Sequence, residues 1–150
     1  MIETGSSQAV IRPARVKDSN RIYAIGVSHS DFAVSPRIRF YEKSEVETWA
    51  RKRGDNVFLI AERANKILGF IYCKVMSHHW AMIDNYFVLP ECRKEGTGAR
   101  LLEECLGKLR TRGISYVSAM VKSADEELRN YMKKRGFQET SEYVWVEKFL

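Results

Sequence analysis

The chain is short of cysteine, proline, histidine and long apolar runs, and each shortage narrows what it can be. Its three cysteines, Cys73, Cys92 and Cys105, form an odd set with no C-x-x-C spacing, which argues against a disulfide framework or a structural zinc site. Cys105 stands at helical spacing from Leu101 and Leu109, so it reads as a core thiol. The longest apolar stretches, Val57 to Ala61 and Ile67 to Cys73, fall well short of the roughly 20 residues that cross a bilayer, so no membrane partner is expected. Met1 to Gln8 has neither the basic start nor the apolar core of a leader, and the expected location is cytoplasmic. Of the three histidines, His78 and His79 are adjacent and point to opposite faces if they lie in a strand. With only His29 besides, no metal site is expected.

What is present suits one compact domain. A chain of 150 residues buries roughly two-thirds of its unfolded surface, which leads us to expect a single domain over 1–150 with a flexible start at 1–7. Lysine and arginine exceed aspartate and glutamate by 25 − 19 = +6, which invites a polyanionic partner. Nine of those cations, however, lie in three clusters, Arg51-Lys52-Arg53, Lys108/Arg110/Arg112 and Lys133-Lys134-Arg135, that run into Gly54, Gly113 and Gly136. Cations in a last turn followed by glycine are how helices stop, so the charge argues only weakly for nucleic acid. Trp49, Trp80, Trp145 and the Phe40-Tyr41 pair read as core or groove wall rather than a base-stacking platform.

Periodicity divides the chain into elements. Gln8 to Arg12 alternates as a strand, and Asp18 or Ser19 can cap a helix carrying Ile22 and Ile25. Glu42 to Arg53 reads as a second helix. The runs 56–62, 66–75 and 80–89 form three consecutive antiparallel strands, the first two joined through Arg63-Ala64-Asn65. Leu101, Leu102, Cys105, Leu106 and Leu109 make a stripe that only a helix places on one face, predicting a helix over 99–112. A strand over 114–121, a helix from Ser123 or Ala124 to Arg135, and a C-terminal strand pair at Phe137 and Tyr143 to Phe149 complete the reading.

The chemistry concentrates where strand 80–89 meets the leucine-striped helix. A strand, helix, strand crossover leaves its first loop at the carboxyl end of the sheet, where ligands bind. There Gly96 and Gly98 stand two apart in Arg93-Lys94-Glu95-Gly96-Thr97-Gly98-Ala99. A positive φ at Gly96 turns successive N–H groups inward, Gly98 lets an anion approach, and the free N–H groups of the helix start favour a pyrophosphate. Neither the G-x-x-x-x-G-K-[ST] pattern nor a third glycine for the dinucleotide fingerprint is present; Leu101 stands in the latter's place.

With Val88-Leu89-Pro90, Arg93-x-x-Gly96-x-Gly98 and Leu101-Leu102, supported by Ile11-Arg12-Pro13-Ala14, Ile67-Leu68-Gly69-Phe70 and Tyr131 through Gly136-Phe137, the sequence resembles the GNAT acetyltransferase superfamily over nearly its whole length. The resemblance implies an α/β fold, with a central, mostly antiparallel sheet, one parallel splayed strand pair and flanking helices. It implies acetyl-CoA as cofactor, its pantetheine arm paired to strand backbone near Phe87 and Val88. Its pyrophosphate would then lie over Arg93, Lys94, Glu95, Gly96, Thr97, Gly98 and Ala99. It also marks departures. The tyrosine credited with protonating the departing thiolate falls on Met132, with Tyr131 just before it, and an asparagine that contacts the cofactor arm falls on Asp125. A thioether donates no proton, so Tyr131 or solvent would serve.

Acetyl transfer to a primary amine of a protein terminus, peptide or small molecule needs that amine neutral, and a lysine-like amine is only about one part in a thousand neutral at pH 7. Asp84, four residues before Val88 and by strand alternation on the same face as Tyr86 and Val88, is the candidate base, with Tyr131 the candidate acid. Two alternatives stay open: an acyl-CoA-binding sensor that turns over poorly, motivated by Met132, and a basic nucleic-acid binder, motivated by the net charge. The acceptor's identity and a homodimeric state are left open by the sequence.

Overall fold

The computed structural model describes residues 8–150; the expected flexibility of 1–7 lies outside them. The chain divides into two compact units, one running to Ser118 and the other from Ala119 to Leu150.

The first unit is built on a five-stranded sheet in the order β1-β2-β3-β4-β5, with β1 Val10–Pro13, β2 Val57–Arg63, β3 Lys66–Val75, β4 Trp80–Val88 and β5 Tyr116–Ala119. The first four strands are antiparallel to their neighbours, and β5 runs parallel to β4 after the crossover through α3, Thr97–Thr111. The β2–β3 hairpin turns on Ala64 and Asn65, both at positive φ (50° and 60°), the two-residue geometry that matches strand twist. Helices α1, Ser19–Ser28, and α2, Lys43–Arg51, cover one face of the sheet and α3 the other. Tyr72 and Cys73 show the division. Tyr72 stacks on Trp49 of α2 with ring centroids 4.4 Å apart, while the buried thiol of Cys73 lies beside Cys105 on α3. Of the α3 stripe, Leu101, Leu102, Cys105 and Leu109 are fully buried, as their spacing predicts, and Leu106 is half-buried at its margin. Cys73, Cys92 and Cys105 are free, buried thiols.

Strand β4 breaks the two-residue alternation. On β3, Tyr72 pairs with Asn85 and the next residue, Cys73, pairs with Ile83, so Asp84 is an extra residue on β4. This bulge corrects the expectation that Asp84 shares a face with Tyr86 and Val88. The inserted residue resets the period, and Asp84 faces α2 while Tyr86 faces α3. Farther along, β3 and β4 approach closely at Gly69, where an added Cβ would lie 2.5 Å from the carbonyl oxygen of Phe87.

Gly113 and Gly136, both at positive φ, directly follow the C-caps of α3 and α4 as expected, but α2 already ends at Arg51 with Lys52 as its C-cap, and Gly54, also at positive φ, lies in the turn beyond. Two of the clustered cations are spent on backbone. Arg53 donates to the Ala14 carbonyl at 3.1 Å, and Arg112 donates to the carbonyls of Asp55 and Asn56. Asp18 precedes α1 but does not cap it. Its carboxylate turns back to accept both Arg12 Nη atoms (2.8 and 3.0 Å) and the Arg15 N–H (2.7 Å), while Arg12 Nε donates to Glu62 at 2.8 Å. α2 is capped instead by a reciprocal pair, Glu42 with Glu45.

In the second unit, α4 spans Glu126–Lys134. Asp125 caps it, its carboxylate accepting the Leu128 N–H at 3.0 Å. Arg129 and Lys133 on α4 both pair with Glu139, whose carboxyl the Arg129 hydrogen bond holds down at about 2. The expected C-terminal strand pair is absent: residues 137–150 carry no strand. Tyr143, Val144 and Val146 are 84–86% exposed, so the segment buries no face that could offset the cost of ordering an extended chain.

Candidate active site

Beyond Val88 the chain makes a 3₁₀ turn at Pro90–Cys92, passes through Lys94 (φ 65°) and Gly96 (φ 84°) and enters α3. Alternating positive-φ residues orient consecutive N–H groups into one concavity. Gly96 stands at the N-cap without a side-chain bond, and a Cβ there would meet open space. The first bond within the helix runs from the Arg100 N–H to the Gly96 carbonyl at 3.1 Å, which leaves the N–H groups of Thr97, Gly98 and Ala99 without a partner inside the helix. A cradle of free amides at the positive end of a 15-residue helix is a binding place for an anion.

Side chains around the turn hold it rather than fill it. Glu95 is exposed and pairs with Arg63 at 3.0 Å, and Thr97 is buried beneath the first turn. Lys94 is exposed at the rim. Arg93, expected there too, instead folds over the Phe87 ring (5.1 Å), donates from Nε to the Val88 carbonyl (2.8 Å) and reaches Asp31 at 3.4 Å. From the strand side, the Tyr86 hydroxyl donates to the Gly98 carbonyl at 2.6 Å. Because β5 has four residues against nine in β4 and begins beside His79, it accompanies only the first part of β4. The last part, Phe87 and Val88 included, extends past it.

On the opposite face, the bulge presents Asp84. Its Oδ2 accepts from the Tyr41 hydroxyl (2.8 Å) and Asn85 Nδ2 (3.1 Å) and lies 3.3 Å from Lys74 Nζ. The Lys74 ammonium also lies over the rings of Tyr41 and Tyr72, 5.4 and 5.9 Å from their centroids. Burial first, then the charge and hydrogen bond of Asp84, push the Tyr41 phenol far above its ordinary value, so it is a neutral donor at any ordinary pH. Close by, His29 packs on Phe87 with ring centroids 4.8 Å apart and shares Nδ1 with the Ile25 carbonyl at 2.8 Å.

The structure gathers residues 93–99 in one turn, and it sets Asp84 beside Tyr41 and Lys74 and joins Tyr86 to Gly98, three partners that the sequence does not single out. Tyr41 lies 43 positions from Asp84 in a stretch without periodicity, and nothing local announces the contact. Tyr131 and Asp125 belong to the second unit, where Arg135 lies over the Tyr131 ring (5.2 Å) and Met132 is buried.

A strand ending in V-x-P, a double-glycine turn and an uncapped helix start match what is seen when the chain is compared with known proteins. Residues 28–137 match the acetyltransferase (GNAT) family. The chain belongs to that family. This GNAT protein is 27% identical over 97 residues to an uncharacterised N-acetyltransferase of Methanocaldococcus jannaschii, a match covering 61% of the chain and 43% of the relative. The chain thus spans less than half the length of that curated relative. Among solved structures, it superposes on a transcriptional regulator from Bacillus halodurans with a TM-score of 0.77 (14% identity, 93% and 99% of the two chains). It also superposes on the PaiA N-acetyltransferase of Thermoplasma acidophilum in complex with coenzyme A, at 0.69 (19%, 88% and 91%). A ribosomal-protein-alanine N-acetyltransferase from Brucella melitensis superposes at 0.75 (20%, 88% and 86%). At these identities the likeness is one of fold. No helix among the described residues is long and apolar enough to cross a membrane.

Proposed function

We propose that the protein is an acetyl-CoA-dependent N-acetyltransferase that moves an acetyl group directly to a primary amine. The observation that carries this reading is the uncapped α3 start, open above Gly96, at the free end of β4. Those residues fit the cofactor. The amides of Thr97 to Ala99 would take its diphosphate, Lys94 would add charge at the rim, and the backbone of Phe87 and Val88 would line its arm. Arg93 must give up the Val88 carbonyl if that group is to accept from the arm. Acetyl-CoA supplies an acetyl group activated as a thioester.

Asp84 acts on the acceptor. With Oδ2 fixed by Tyr41, Asn85 and Lys74, Oδ1 has no partner among the described residues and is free to take a proton from an ammonium, directly or through a water. The surroundings suit such a substrate, because one primary ammonium, that of Lys74, already rests between this carboxylate and two aromatic rings. An N–H near Val88 would stabilise the oxyanion of the tetrahedral intermediate. Tyr131 is the candidate acid for the departing thiolate, and Asp125 a further contact to the cofactor arm. The family match runs across both units, which favours one catalytic domain over 1–150. The reduced thiols favour a cytoplasmic setting.

The test is thiol release from acetyl-CoA against a panel of peptide N-termini, lysine side chains, polyamines and aminoglycosides, with product mass as the second readout. At least one amine should gain an acetyl group. Tight binding of coenzyme A with no transfer to any amine would instead support an acyl-CoA sensor, the reading that the buried thioether of Met132 favours.

A further inference from the structure

We infer that Tyr86 is a positioning residue that holds the α3 start in its anion-binding form through the hydrogen bond from its hydroxyl to the Gly98 carbonyl. The inference rests on the proposed function and goes beyond it, because neither the loop motif nor the amide cradle involves Tyr86.

The turn has little else to keep its shape. Gly96 offers no side chain to cap the helix, and glycines on both sides of Thr97 give this stretch more conformational freedom than any other residue pair would. Of the other ties, the Arg63–Glu95 pair is at the surface, where ion pairs contribute little. Arg100 acts one position farther on, donating to the Ala9 carbonyl at 2.6 Å. Tyr86 is different in kind. It stands on a central strand bonded to β3, its 2.6 Å bond is short and partly buried, and it ends on the middle residue of the first turn. It also engages that residue from the carbonyl side, so the peptide is fixed while the N–H groups of Thr97, Gly98 and Ala99 stay available. Phenylalanine would fill the same space and leave the turn unanchored.

The experiment is calorimetric titration of the full chain and of Tyr86→Phe with two probes: coenzyme A, and pantetheine, which keeps the thiol arm but lacks the nucleotide diphosphate. The wild type should bind coenzyme A the more tightly. Tyr86→Phe should lose about fivefold to tenfold in coenzyme A affinity while pantetheine binding changes less than about twofold. Amide hydrogen exchange supplies the second readout: Thr97 to Arg100 should exchange faster in the variant with the rest of the chain unaltered. Equal loss for both probes, unchanged coenzyme A affinity, or uniformly faster exchange would overturn the role of Tyr86. A wild type that binds both probes equally would show that the diphosphate is not gripped, and would overturn the cradle and Tyr86 together.

Discussion

Asp84 and Tyr86 lie two residues apart on β4 yet face opposite sides of the sheet, the carboxylate toward Tyr41 and Lys74 and the phenol toward Gly98. A regular strand would put both on one side. One inserted residue therefore lets a single strand present a carboxylate on the α2 side and a phenol to the first turn of α3 on the other.

Gly98→Asp should abolish coenzyme A binding without unfolding the protein. A carboxylate in the first turn of α3 suits the helix dipole, so thermal stability should hold or rise by a few tenths of a kcal/mol. The same charge would oppose the diphosphate. Titration with coenzyme A and a melting curve check the two halves, and unchanged affinity would remove the turn from the cofactor site.

Asp84→Asn should lower turnover most on the acid side of the pH–rate profile, where the acceptor amine is most protonated and most needs a base. A loss of about a hundredfold at pH 6, shrinking as pH approaches the amine's own pKa, is the expected shape. A profile parallel to that of the wild type would exclude Asp84 as the base.

Arg12 and Asp18 set an acid limit on stability. Burial alone would raise the Asp18 carboxyl, but the hydrogen bonds from Arg12 and the Arg15 N–H outweigh it, and the net shift is downward from 3.8. The unfolded chain then takes up the proton first as pH falls, so this contribution is complete above about pH 5 and is lost through pH 3.8 and below. Asp18→Asn should cost about 2–3 kcal/mol at pH 7 in urea unfolding, and the gap from wild type should narrow by pH 3. An equal gap at both pH values would contradict the assignment.

Gly69→Ala should destabilise the β3–β4 pair by about 1–3 kcal/mol, because the new methyl would press on the Phe87 carbonyl, a backbone atom that cannot swing aside. Full stability in the variant would show that the strands part at no cost.

Several features could be read before any coordinates because they are local. The α3 stripe declares itself by period, the Ala64–Asn65 turn by its position between two β-rich runs, and the stops of α3 and α4 by cations followed by glycine. The Gly96–Gly98 turn is equally local. The bulge is not, since an extra residue shows only when β4 is laid against β3 and Tyr72 and Cys73 are found to span three residues. Tyr41 and Lys74 were hidden for the same reason: their roles come from through-space meetings across the sheet face. The Tyr143 to Phe149 run shows the converse error. Its residue types favour a strand, but composition cannot supply the neighbouring chain that a strand requires.

The bulge makes β4 a strand whose length is constrained more tightly than its composition. Deleting Asp84 would leave Ile83 on Cys73 and remove only the bulge, whereas adding a residue between Trp80 and Ile83 would invert every side chain upstream of it. Trp80, which now reaches Ser118 on β5, would swap sides with buried Ala81. Related sequences that keep this architecture, bulge included, should therefore preserve the count from the His78-His79 turn to Pro90.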